Sequence, residues 1–291
     1  MARGRYWLES CHHHTTLCAA GPGPACPMRG GRARPTMGAI GGPTDARSRH
    51  GWQRTMAAAT MAGMDTPTPA LLETVEHETG PAPAWTVLWL HGLGADGNDF
   101  VPLLPELVRR DWPAIRFVFP HAPVRAVTIN NGARMRAWYD IRDFDFASRA
   151  DETGVRESIV QVEALVAREA ARGVPASRVL LAGFSQGGAI ALAVGLGRTS
   201  PLAGLVALSS YLPMAEQLAG AMPAAAATQP LFMAHGQHDP VVPYAAGEQS
   251  AARLRALGFQ VDWHAYPMAH QVCAEQVRDL GDWLARRFAD A

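Results

Sequence analysis

Lysine is missing altogether, since all 26 basic residues are arginine. That excludes a Walker lysine for phosphates, a Schiff-base lysine for pyridoxal phosphate, and any mechanism that needs a lysine of tuned pKa. Cysteine is scarce. Cys11, Cys18 and Cys26 fall in the first 64 residues and only Cys273 beyond them. The remainder therefore cannot form an internal disulfide, and the expected setting is reducing and cytoplasmic. No apolar run approaches the ~20 residues of a membrane span, and the start of the chain lacks the apolar stretch of a signal peptide.

Apolar residues are themselves rare in residues 1–64. Leu8, Leu17 and Ile40 are the whole Leu/Ile/Val/Phe complement there, against 15 glycines and prolines. Such a stretch buries too little to offset its ordering entropy, so 1–64 is expected to be a disordered extension and 65–291 one folded domain. Upstream sequence translated from too early a start codon is the preferred account of 1–64, with Met56, Met61 or Met64 as the real beginning. A transit peptide is the alternative, disfavoured by the shortage of serine and amphipathic order. The Cys11-His12-His13-His14 run has metal-ligand residue types but no core to fix their geometry, so no metal is expected. The extension carries eight Arg against Glu9 and Asp45, which leaves 18 Arg against 24 acidic residues in the rest. An acidic domain is a poor nucleic-acid binder.

From residue 85 onward, short apolar runs alternate with amphipathic stretches. The runs at 86–92, 115–123, 178–185, 204–210, 230–237 and 261–267 read as strands mostly buried on both faces. Between them lie helical patterns, the clearest over 152–172. There Val155, Ile159, Val162, Val166 and Ala170 form a stripe, with Gly173 placed to end the helix. Cys273, Val277, Leu280, Leu284 and Phe288 repeat the pattern near the end of the chain. Alternating strands and helices predict an α/β fold, a mostly parallel sheet with helices on both faces in a single domain. Chemistry in such sheets sits on loops at the carboxyl ends of the strands. The segment 122–150 breaks the alternation. It holds an Asn131-Gly132 turn signal, then Met135, Trp138 and Tyr139 with neither helical nor strand period, and reads as a long functional loop.

The sharpest signal is Gly183-Phe184-Ser185-Gln186-Gly187, a G-x-S-x-G that follows an apolar strand and opens an apolar helix. A nucleophile on so tight a turn leaves no room for bulk two residues to either side. A serine hydroxyl needs a base, and the base an orienting carboxylate, in the order Ser, Asp/Glu, His. His235 and His264 lie inside predicted strands and read as packed or hydrogen-bonded scaffold, whereas His270 follows the last strand at the catalytic edge. His238 merely neighbours the best carboxylate. Asp239 comes just after the 230–237 strand and just before Pro240 and Pro243, a rigid loop at the same edge, while Asp262 lies inside a strand. The assignment is Ser185, Asp239, His270. The oxyanion donors are expected to be the backbone N–H groups of Gln186 and of Leu93, in the loop His91-Gly92-Leu93-Gly94. His91 itself is read as a loop brace.

LHGLGADGNDF (90–100), FPHAPVRAVTINNGARMRAWYDI (119–141), LLAGFSQGGAIAL (180–192), FMAHGQHDPVVPY (232–244) and YPMAHQV (266–272) resemble the phospholipase/carboxylesterase family of α/β-hydrolases. Bacterial carboxylesterases and eukaryotic acyl-protein thioesterases belong to that family. The resemblance runs from about Trp85 to Phe288 and makes 65–291 an α/β-hydrolase catalytic domain. It implies the same triad and donors, and a 122–141 loop bordering the acyl pocket. Ala126 stands where the family commonly has proline, and Ala269 where a glycine often precedes the histidine.

The expected activity is a serine carboxylesterase for short- to medium-chain esters, working through an acyl-enzyme without metal or cofactor. Met135, Trp138 and Val241 are candidates to line the substrate, unless Met135 and Trp138 simply pack the loop onto the body. The alternatives are an acyl-protein thioesterase or lysophospholipase for longer chains, and a non-catalytic ligand-binding member. Partners are expected to be small esters, with no nucleic acid and no membrane span; a homodimer is compatible with the sequence.

Overall fold

Strands in which every residue is buried need cover on both faces, and β2, β3, β7 and β8 below are of this kind. The computed structural model describes residues 71–143 and 151–289. The 1–64 extension with its Cys-His run, and the end of the 122–150 segment, lie outside the described residues. In chain order the elements are β1 (Thr74–Glu78), β2 (Trp85–Leu90), the short α1 (Leu104–Leu107), β3 (Ile115–Pro120), β4 (Val124–Val127) and β5 (Ala133–Arg136). There follow α2 (Glu152–Ala171), β6 (Val179–Phe184), α3 (Gln186–Gly197), β7 (Gly204–Leu208) and α4 (Ala215–Ala221). The chain continues through β8 (Leu231–Gly236), α5 (Tyr244–Ala256), β9 (Val261–Tyr266) and α6 (Ala274–Ala289).

Seven strands form one sheet in the order β1-β3-β2-β6-β7-β8-β9, parallel throughout except for β1. The α/β class, the mostly parallel sheet and the helices on both faces are as expected. Strand alternation divides the core in two. Leu88, Leu90, Leu181, Leu205 and Met233 face Val162, Ile190 and Leu254 of α2, α3 and α5. Val87, Trp89, Phe117, Leu180, Val206 and Phe232 face Leu107 of α1 and Val277, Leu280 and Leu284 of α6. Each such aliphatic side chain contributes roughly 1.5–3 kcal/mol by burial.

Two expectations are corrected, and one strand is added. The segment after β3 is not wholly without strand: β4 and β5 pair antiparallel around Asn131 and Gly132, both at positive φ. Val124, Ala126, Ala133 and Arg134 are exposed and only Val127 is fully buried, so these four-residue strands are too short and too open to write a clear alternating pattern. β1 went unread because it is an edge strand tied down by charge. Glu76 pairs with Arg168 and Arg172, and Glu78 with Arg116. The buried stripe of α2 ends in Glu169 rather than Ala170, which is exposed. Glu169 tolerates complete burial because Thr86 Oγ1 and Arg116 both donate to its Oε2 at 2.9 Å.

Candidate active site

Ser185 sits between β6 and α3 at φ 53°, ψ −119°, a conformation that costs an L-residue energy and persists only where surroundings enforce it. Its N–H donates to Leu208 C=O and its C=O accepts from Ser210 Oγ, both at 2.8 Å. The flanking glycines are steric requirements. A Cβ on Gly183 would overlap the Gly187 carbonyl, and one on Gly187 would overlap the carbonyl oxygens of Leu90 and His91. The turn lifts Ser185 Oγ to the carboxyl edge of the sheet, where His270 Nε2 lies 3.0 Å away.

His270 arrives on the loop after β9, which is zipped to the loop after β8. Gln237 N–H donates to Tyr266 C=O at 2.8 Å and His238 N–H to Met268 C=O at 3.1 Å. Gly236 permits this contact, because a Cβ there would run into the Met268 and Ala269 carbonyls. His270 Nδ1 thereby stands 2.7 Å from Asp239 Oδ2. Asp239 Oδ1 accepts from Val241 N–H and Val242 N–H, each at 2.8 Å. Prolines at 240 and 243 have no N–H, so these two amides are the donors the loop can offer. His235 Nε2 is 3.5 Å from Asp239 Oδ2, and its shorter bond, 2.9 Å, goes to Val242 C=O. Burial alone would push the Asp239 carboxyl up. Donation from His235 and His270, the charge of His270 and the Val242 amide outweigh it and hold the carboxyl well below the usual carboxylate range.

His91 ends β2 and braces the neighbouring loops. Its Nδ1 lies 2.7 Å from Gly92 C=O, and its Nε2 accepts from Ala122 N–H at 3.0 Å. Burial pushes its pKa down to about 4, so the ring is neutral near pH 7. Leu93 follows, half-buried; neither its N–H nor that of Gln186 donates to any group among the described residues. Gln186 N–H opens α3, where no intrahelical acceptor exists for it.

Met135 and Val241 are half-buried, with Met135 Sδ close to Gly94 in the Leu93 loop. Trp138 is different, because its side chain has no exposed surface in this structure. Its indole Nε1–H donates to His91 C=O at 2.9 Å and its backbone N–H to Gln186 Oε1 at 2.8 Å. It packs the segment onto the body rather than presenting a wall to solvent. His238 is exposed and outside the triad, while His264 bonds Asp262 at 3.0 Å and stacks on Phe232. The backbone partners of Asp239 leave no trace in residue identity, and the Gln186 side chain meets Trp138 and Tyr139 from far along the chain, so sequence reasoning missed both. Among the described residues no group of three His, Cys, Asp or Glu could hold a metal, and no helix is long and apolar enough to cross a membrane.

Comparison with known proteins places the chain in a family. Residues 72–287 match the family described as Phospholipase/Carboxylesterase. The chain is 36% identical over 237 residues to acyl-protein thioesterase 1 of Neurospora crassa, covering 78% of this chain and 95% of that protein. It is 33% identical over 205 residues to carboxylesterase SOBER1 of Arabidopsis thaliana, covering 69% and 90%. The crystal structure of Arabidopsis SOBER1 superposes with a TM-score of 0.67 at 32% identity, covering 70% of this chain and 98% of that one. That of Zea mays acyl-protein thioesterase 2 gives 0.64 at 31% identity, covering 74% and 99%.

Proposed function

We propose that this chain, which belongs to the phospholipase/carboxylesterase family, hydrolyses carboxylic esters through an acyl-enzyme on Ser185. The observation that carries the reading is the relay of Ser185 Oγ to His270 Nε2 at 3.0 Å and His270 Nδ1 to Asp239 Oδ2 at 2.7 Å. His270 takes the Ser185 proton as Oγ attacks the ester carbonyl. Asp239 fixes the Nδ1–H tautomer and stabilises the imidazolium. The carbonyl oxygen, now negative, accepts from the Leu93 and Gln186 N–H groups, which have no other partner among the described residues to give up. His270 then passes the proton to the leaving alcohol. A water molecule repeats the sequence on the acyl-enzyme and releases the acid.

The preferred substrates are small esters with short to medium acyl chains. Leu93, Met135 and Val241, half-buried around the triad, are the side chains offered as walls. Trp138, fully buried, supports these walls from behind. Each methylene that fits adds about 0.8 kcal/mol to binding until the walls stop the chain. The cytoplasmic setting belongs to the same proposal and rests on Cys273 being the one cysteine of the domain. A second reading, acyl-protein thioesterase, is favoured by the identity to the Neurospora protein of that name. Measurement of kcat/KM across p-nitrophenyl esters from acetate to palmitate separates the two. The esterase reading expects a maximum at short to medium chains. A maximum at palmitate, or rapid release of palmitate from an acylated protein, would replace it with the second.

A further inference from the structure

The two N–H groups proposed for the oxyanion lie on different segments, Leu93 after β2 and Gln186 at the head of α3. For one oxygen to accept from both, each donor must stand about 2.7–3.1 Å from it. The two segments touch where Gly187 lies against the Leu90 and His91 carbonyls. Beyond that contact, the residues that end the β4–β5 ribbon hold them together. Arg136 C=O accepts from Gly94 N–H at 2.9 Å, and Trp138 Nε1–H donates to His91 C=O at 2.9 Å. The Leu93 amide is therefore anchored on both sides by residues two apart in the chain. Toward α3, Trp138 N–H donates to Gln186 Oε1 and Tyr139 C=O accepts from Gln186 Nε2, each at 2.8 Å. An amide side chain held at both ends has one rotamer, and the residue that carries it has one position.

Trp138 is itself fixed. Its C=O accepts from Ser158 Oγ, and its ring packs on that of His91 with centroids 5.4 Å apart. An apolar side chain of the same shape would fill this space, but it could not supply a directed bond to the carbonyl two residues before Leu93. We propose that Trp138 is a positioning residue for the oxyanion site: through His91 C=O and Gln186 it sets the spacing of the Leu93 and Gln186 N–H groups, without touching substrate. The inference rests on the reading of Ser185 as nucleophile and of these amides as oxyanion donors.

The test is Trp138→Phe, which removes the indole N–H. Its kcat and KM are measured on p-nitrophenyl butyrate, together with the Ki of a trifluoromethyl ketone bearing the same acyl chain and the Ki of butyrate. A displaced donor should cost roughly 10- to 100-fold in kcat, short of the 10²–10³ for losing one outright. KM and the butyrate Ki should stay within about twofold, and the ketone Ki should rise by the factor that kcat/KM falls. If phenylalanine disturbs the core, benzothienylalanine at 138 carries the same test, since it replaces the N–H by sulfur at nearly constant volume. An unchanged kcat, or a fall in kcat with ketone affinity unmoved, assigns Trp138 to packing alone and overturns the inference. Those results with a wild type inhibited at Ser185 overturn this inference only; a wild type that the ketone does not inhibit, with Ser185→Ala still active, removes the underlying reading as well.

Discussion

His270 Nδ1 lies 2.7 Å from Asp239 Oδ2, across the junction of two loops that leave neighbouring parallel strands. The pairing is set by backbone. Gln237 and His238 donate to carbonyls of the β9 loop, and Gly236 leaves room for that loop to close. His270 and Asp239 are thus placed by the sheet edge, and the strained turn at Ser185 needs only to bring its hydroxyl to them.

The two aspartates separate the proposed triad partner from a surface charge. Asp239→Asn gives His270 the wrong tautomer and leaves its imidazolium unstabilised, so kcat should fall by roughly 10⁴-fold. Asp262, which meets His264 at 3.0 Å and Arg286 at 3.3 Å near the opposite end of β9, is 41% exposed in its side chain. Pairs of that kind contribute at most about 1 kcal/mol, and Asp262→Asn should leave kcat unchanged. Steady-state kinetics of the two variants check this; comparable losses in both would mean that another carboxylate serves His270.

His91 makes stability depend on pH in a defined window. Folded, its pKa is held down to about 4; unfolded, it takes up a proton below about 6.5. The unfolded chain therefore binds the extra proton between those values. Stability is full above about pH 6.5 and is lost as pH falls toward 4, by about 3 kcal/mol at most. Melting temperatures from pH 7 to 4.5 should fall less steeply for His91→Gln than for the wild type. Equal slopes would show that the ring is protonated without penalty.

Much of the fold was legible because both-face burial writes itself into composition. TVLWL, VLLAG and LFMAH have almost no polar residue to explain other than as central strand. The β4–β5 ribbon was not, since Arg134 and Val124 alike face solvent and only the Asn131-Gly132 turn marked it. At the site, the side chains Ser185, Asp239 and His270 are readable from residue type and position beside strands. Their supports are not: Val241 and Val242 act through amides that any residue but proline carries. Trp138 illustrates the limit from the other side. An aromatic in a loop near a nucleophile looks the same whether it lines a pocket or holds one up, and only its hydrogen bonds to His91 and Gln186 distinguish the two.

Residues 1–64 hold only Leu8, Leu17 and Ile40 from the Leu/Ile/Val/Phe set, and the family match begins at 72. A chain starting at Met64 should keep the kcat/KM and melting temperature of the full chain. Calorimetry and kinetics on the two forms check this, and a clear drop in either would show that the extension packs on the domain or covers the site.

The proposed reaction requires Ser185 to carry the acyl group. Peptide mapping by mass spectrometry after treatment with a fluorophosphonate tests it most directly, in the wild type and in Ser185→Ala. One adduct is expected, on Ser185, and in the variant no adduct and a kcat lower by roughly 10⁴- to 10⁶-fold with the melting temperature retained. An adduct on another residue, or turnover that survives in Ser185→Ala, would contradict it.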